Sequence, residues 1–129
     1  MEMDEQVVFI TGGAQGIGLA IARSFVRAGA RIAIADADQD ALEAARVSLK
    51  DWAARGQVAI FELDVRNRDA FETVAEQAEA YLGNVSVLCN NAGVRLPDSL
   101  TQLNYELWDA VIGINLEGVY NGIQTSLHR

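Results

Sequence analysis

The stretch Val7-Val8-Phe9-Ile10-Thr11-Gly12-Gly13-Ala14-Gln15-Gly16-Ile17-Gly18 decides the fold. Its first four residues are an unbroken apolar run, and a helical recurrence begins at Ile17, so it reads as strand, tight glycine turn and helix start. Glycines let a backbone come close to a ligand, and the first N–H groups of a helix, with the positive end of its dipole, attract an anion. A bound phosphate is the expectation. The plainer alternative is a turn of the same kind with no ligand.

Beyond the turn, Ile17, Ile21, Phe25 and Ala28 recur at helical spacing while Arg23 and Arg27 fall elsewhere, so helix one should pack that stripe on a sheet. Gly29 is its stop, and strand two, residues 31–35, ends on Asp36. Asp38 can cap a second helix starting near Gln39, with Leu42, Ala45, Leu49 and Trp52 inward and Gly56 beyond its end. Strand three, residues 58–63, ends on Asp64-Val65. A third helix starts at Asn67 or Asp69, buries Phe71, Val74, Ala75, Ala78 and Leu82, and closes at Gly83. Strand four, residues 85–89, runs into Asn90-Asn91-Ala92-Gly93. A connection holding the sole proline, Pro97, leads to a last helix from near Asn104 or Tyr105 to the end, with Trp108, Val111, Ile112, Val119, Ile123 and Leu127 as its apolar stripe. Asn115 falls on that stripe and needs partners for its amide, either as the holder of a helix irregularity or as a residue of the site.

Short, apolar strands separated by helices are the pattern of a parallel sheet covered on both faces. Right-handed crossovers then give an α/β, Rossmann-type doubly wound sheet in the order 3-2-1-4, with a crevice between strands one and four. The polar strand endings all fall at the C-terminal ends of strands, where such sheets bind ligands.

The 129 residues suit one domain, able to bury roughly two thirds of its unfolded surface. A net charge of −8 and a pI near 4.5, with ten scattered basic residues, argue against nucleic acid or an anionic membrane as partner. Only Cys89 is present, so no intrachain disulfide is possible, and inside an apolar strand it reads as a small core residue. The acidic start, Met1-Glu2-Met3-Asp4-Glu5, lacks the regions of a signal peptide, and no apolar run reaches spanning length, so a cytoplasmic protein is expected. His128 is the only histidine, and no metal site is expected.

Asp36 stands eighteen residues after Gly18, near the spacing of a carboxylate that accepts from ribose hydroxyls. Its charge would repel a 2′-phosphate, and neither Gln15 nor Ala37 offers a base for one, so NAD is favoured over NADP. The alternative is an Asp that only starts the turn into helix two.

Together Thr11-Gly12-x-x-x-Gly16-x-Gly18, Asp64-Val65, Asn90-Asn91-Ala92-Gly93 and Asn115 resemble the short-chain dehydrogenase/reductase family, in its single-domain branch, over nearly the whole chain. The resemblance implies hydride transfer between NAD and an alcohol or ketone. Thr11, Gly12, Gln15, Gly16, Ile17 and Gly18 would hold the pyrophosphate, Asp36 the adenosine ribose, Asp64 and Val65 the adenine, and Asn90, Asn91, Ala92 and Gly93 the region of the nicotinamide ribose. It gives Asn115 a catalytic part in placing a water that relays protons to a Lys.

The family's Ser and Tyr-x-x-x-Lys have no counterpart: Lys50 is the only lysine, and Tyr81, Tyr105 and Tyr120 are followed four residues later by Val85, Asp109 and Gln124. The chain thus resembles the family's N-terminal half, a domain incomplete at its C-terminus, inactive as given and with strand four as an exposed edge. Association through the last helix is a further implication. A non-catalytic nucleotide-binding fragment is the alternative. A methyltransferase using S-adenosylmethionine would also need a glycine turn and an acid after strand two, but it leaves Asn90 to Gly93 unexplained.

Overall fold

A computed structural model describes residues 2–95, 97, 99–127 and 129. Its strands are β1 (Val7–Thr11), β2 (Arg31–Asp36), β3 (Val58–Glu62) and β4 (Val87–Cys89), all parallel in the order β3-β2-β1-β4. This is the expected doubly wound α/β order. Every residue of β1 is buried, as a central strand covered on both faces requires. Val8, Ile10, Ile32 and Ile34 meet α1 (Gly16–Arg27) and α2 (Gln39–Ser48) on one face. Val7, Phe9, Ala33 and Ala35 meet α4 (Arg68–Leu82) on the other, where Phe9 stacks on Phe71 at 5.7 Å between centroids.

Several elements differ from the sequence expectation. The strand predicted over 85–89 begins only at Val87, because Ser86 Oγ accepts the Val7 N–H at 3.0 Å in place of a strand carbonyl. Helix two breaks at buried Leu49 and resumes as α3 (Lys50–Ala54), which turns the chain back toward β3. Helix one is rotated by one residue: Gly18, Ala22 and Val26 are buried, Ile21 and Phe25 pack at the edge, and Ile17 is 75% exposed.

The largest difference lies in the last helix, which comprises α5 (Tyr105–Ile112), a π-helical turn (Gly113–Glu117) and α6 (Gly118–Ser126). Its buried face in α6 is Gly118, Asn121, Gly122 and Thr125, not Val119 and Ile123. Small residues let the helix backbone sit close. A Cβ on Gly118 would lie 3.0 Å from Val65 Cβ, and one on Gly122 would lie 3.3 Å from Phe71 Cζ. Trp108, Leu116, Tyr120, Ile123 and Leu127 are therefore exposed. Among the described residues, no helix is long and apolar enough to cross a membrane.

Candidate functional site

Thr11 ends β1, and its buried hydroxyl joins two turns. Oγ1 accepts from the backbone N–H groups of Asn91 and Ala92, both at 3.0 Å, and donates to the Cys89 carbonyl at 3.4 Å. Asn91 Nδ2 in turn donates to the Gly12 carbonyl at 3.0 Å. The glycine turn after β1 and the Asn turn after β4 are thus one hydrogen-bonded unit.

Two glycines are required by this closeness. Gly12 has φ +62°, and a Cβ there would lie 3.0 Å from Ala92 Cα. A Cβ on Gly18 would stand 2.6 Å from Asn91 Nδ2 and closer still to the Gly12 carbonyl oxygen.

At three other helix starts a side chain accepts one of the free N–H groups. Asp38, Asn67 and Asn104 cap α2, α4 and α5 through their side chains. Gln15, at the same position before α1, makes no such bond, and the first turn of α1 carries no acid. Its N–H groups and positive dipole end are left for an anion. Gly16 and Ile17 are exposed on that turn.

Asp36 is only 7% exposed, and both of its oxygens are partly used. Oδ2 accepts from the Ala14 N–H at 3.2 Å, and Oδ1 from the Asp38 N–H at 3.0 Å. The second bond is the turn anticipated as an alternative. An ionised carboxylate offers about four acceptor positions, so one on each oxygen is left over.

Asp64 is different. Oδ1 accepts from the Arg66 backbone N–H and from Nε, both at 3.0 Å, while Oδ2 accepts from Nε at 3.2 Å and from Nη2 at 2.7 Å. The Arg66 guanidinium holds the Asp64 carboxyl below its ordinary value of 3.8. A depressed carboxyl stabilises the fold above its unfolded value and loses that contribution as pH falls through the folded one. The pair is exposed, so the contribution is below about 1 kcal/mol. An NMR titration of Asp64 will give a midpoint below 3.8 that rises in Arg66→Met.

These groups meet in a cleft of about 380 Å³ at the C-terminal ends of the strands. Gly12 and Gln15 line it from the glycine turn, Asp36 from β2, Asp64 and Val65 from after β3, and Asn91, Ala92 and Gly93 from after β4. Thr11 is buried behind them, and Asn90 points away, its Nδ2 donating to the Val119 carbonyl at 3.4 Å.

Asn115 lies in the π turn, is exposed, and finds both partners on the loop after β4: Oδ1 accepts the Val94 N–H at 2.8 Å, and Nδ2 donates to the Val94 carbonyl at 2.9 Å. Val94 and Ile114 complete the cleft wall.

The structure adds two residues to those expected. Arg66 lines the cleft. Buried Asn121 donates to the Val65 carbonyl at 2.9 Å and so positions the end of β3; the signal in the sequence was an Asn set between Gly118 and Gly122. Tyr81, Tyr105 and Tyr120 are exposed away from the cleft, and Lys50 is on α3. Burial pushes the Cys89 thiol up, away from a reactive thiolate. His128 lies outside the described residues. Among those described, no cluster could hold a metal ion.

A parallel sheet that gathers its strand ends around such a cleft is a Rossmann-type frame, and the chain belongs to the short chain dehydrogenase family, whose model matches residues 6–129. It is 36% identical over 129 residues to the C alpha-dehydrogenase of Sphingobium sp. strain SYK-6, covering 99% of this chain and 42% of that one. Two solved structures are similar. One is a blue fluorescent protein from a metagenomic library in complex with NADPH, with a TM-score of 0.90 and 29% identity, covering 99% of this chain and 52% of that one. The other is a short chain dehydrogenase/reductase from Burkholderia phymatum in complex with NAD, with a TM-score of 0.87 and 33% identity, covering 97% and 44%. The chain spans about half the length of the curated relatives it matches.

Proposed function

We propose that residues 1–129 form the NAD-binding domain of a short-chain oxidoreductase acting on an alcohol or ketone. The observation that carries this is the uncapped start of α1, whose preceding residue Gln15 lines one cleft with Asp36. The residues fit the cofactor: nothing lies within 4 Å of the missing Cβ of Gly16, which leaves the first turn of α1 open to a ligand, and Asp36 keeps one acceptor position on each oxygen.

In this reading the first turn of α1, from Gly16 through Gly18, binds the pyrophosphate through its N–H groups, with Thr11 and Gln15 shaping the turn. Asp36 accepts from the adenosine ribose hydroxyls. Asp64 and Val65 frame the adenine, and Asn91 to Gly93 lie toward the nicotinamide ribose. When bound, NAD supplies the carbon that takes or gives hydride. Asn115, whose amide oxygen and nitrogen each bond to the Val94 backbone, is a positioning residue that holds the loop beside that end. Residues 1–129 contain no Tyr-x-x-x-Lys, so none of them is assigned the proton transfer, and they bind NAD without turnover.

Selectivity rests on charge. Asp36 faces the place of a 2′-phosphate, and Gln15 and Ala37 offer no cation for it. Calorimetric titration will show NAD bound at least about tenfold more tightly than NADP, and Asp36→Ala will weaken NAD by about tenfold, the loss of hydrogen bonds to a charged group. Equal affinity for the two in the wild type would refute the assignment to NAD. Turnover of an alcohol, followed at the NADH absorbance band, would refute the claim that these residues only bind.

A further inference from the structure

Asn121 is buried on the inner face of α6, and its Nδ2 donates to the Val65 carbonyl at 2.9 Å. The helix meets the segment after β3 at two further points, both bare of side chain. A Cβ on Gly113 would lie 2.7 Å from Arg66 Cδ, and one on Gly118 would lie 3.0 Å from Val65 Cβ. Two glycines thus pack residues 65 and 66, and one amide bonds to them. An apolar residue at 121 could fill the same space and would leave the carbonyl unpaired.

The carbonyl that Asn121 holds belongs to the peptide whose other end is the Arg66 N–H. In a trans peptide the two groups point in opposite directions. That N–H donates to Asp64 Oδ1 at 3.0 Å. One rigid plane therefore joins a buried amide of α6 to a carboxylate on the cleft wall. The Arg66 side chain adds its Nε–H, shared between Oδ1 at 3.0 Å and Oδ2 at 3.2 Å, and Nη2 on Oδ2 at 2.7 Å. Three N–H groups reach a carboxylate with about four acceptor positions, so capacity for one more donor remains.

We propose that Asn121 is a positioning residue for base selection: by fixing the 65–66 peptide it sets the direction in which Asp64 offers that remaining capacity to the 6-amino group of the adenine. This rests on the dinucleotide reading of the cleft given above. Asn121 does not line the cleft and acts only through the peptide. With the carbonyl released, the plane turns, the Arg66 N–H leaves Oδ1, and the carboxylate follows the flexible arginine side chain alone.

The probes are NAD and its hypoxanthine analogue, in which a carbonyl replaces the 6-amino group. Both are titrated calorimetrically into the wild type and into Asn121→Leu, which keeps the branching of the side chain and removes its donor. The quantity read is the Kd of the analogue divided by that of NAD. We expect at least about fivefold in the wild type, because an acceptor then faces an acceptor, and less than about twofold in the variant. The Asp64 midpoint, read by NMR in the free proteins, will rise toward 3.8 in the variant but not reach it, since the Arg66 side chain, the larger cause of its depression, remains. Thr125→Val, buried on the same face of α6 and away from the cleft, is the control and leaves both readings in place. If Asn121→Leu does not fold, Asn121→Ala removes the same donor and gives the same two shifts. A ratio unchanged in the variant overturns the proposal, whatever the loss of affinity, because a merely structural residue weakens both dinucleotides alike. A wild-type ratio of one also overturns it while leaving the NAD site standing. Failure of the wild type to bind either dinucleotide overturns the dinucleotide reading as well.

Discussion

Gly18→Val will weaken NAD binding by more than about a hundredfold and lower the Tm by about 10 °C, the size expected when a close-packed contact is overfilled by about 3 kcal/mol. The added Cβ meets Asn91 Nδ2 at 2.6 Å and the Gly12 carbonyl oxygen more closely. That oxygen is the acceptor of the Asn91 bond that joins the glycine turn to the turn after β4. One of the two colliding groups is backbone, so no rotamer change relieves the clash, and α1 must move off the turn, carrying its open N–H groups away from the cleft. Gly16→Ala is the control. Gly16 has φ +55° with open space around the missing Cβ, so its cost to folding stability is the conformational one alone, about 1 to 2 kcal/mol. Calorimetric titration with a thermal melt separates the two variants. NAD affinity in Gly18→Val equal to the wild type would show that the contact between the turns is not needed for binding.

The sheet was legible because its strands are apolar and each ends in a polar residue with a job: Thr11, Asp36, Asp64 and Asn90 all sit where the chain leaves the sheet. Periodicity also located the helices. It misled where the buried face is not apolar. In α6 that face is Gly118, Asn121, Gly122 and Thr125, which let the backbone approach Val65 and Phe71, while Tyr120 and Ile123 point outward. A hydropathy stripe follows bulk and cannot see a face selected for smallness. In α1 the same error is one residue wide, since Gly18 and Ala22 carry the contact and Ile17 stands free.

Asp36 shows that two sequence readings that looked exclusive are compatible in one residue. One lone pair of Oδ1 makes the turn into α2 with the Asp38 N–H, and acceptor capacity remains on both oxygens. Asp64 shows the opposite. Its position at the end of β3 was clear, but nothing in the spacing said that the flexible arginine two residues on would fold back and bind both oxygens of its carboxylate.

Thr11→Val should cost about 2 to 4 kcal/mol of stability and about tenfold in NAD affinity, although the side chain keeps its shape. The hydroxyl of Thr11 accepts two N–H groups, of Asn91 and Ala92, and gives its own proton to Cys89. Valine leaves both donors facing a methyl group. Removing one partner of a buried hydrogen bond costs the desolvation of the group left behind, about 1 to 3 kcal/mol each, and these two are partly buried, which places the sum in the lower half of that range. The turn holding Asn91, Ala92 and Gly93 then loses its anchor to β1, and with it one wall of the cleft. Thr11→Ser keeps the oxygen and loses only a methyl group, so it should stay within about 1 kcal/mol of the wild type. Denaturant midpoints for the pair, read with calorimetric NAD titrations, isolate the hydroxyl from the packing. A valine variant as stable as the serine one would mean that the two turns are held by packing against β1 and β4 and not by Oγ1.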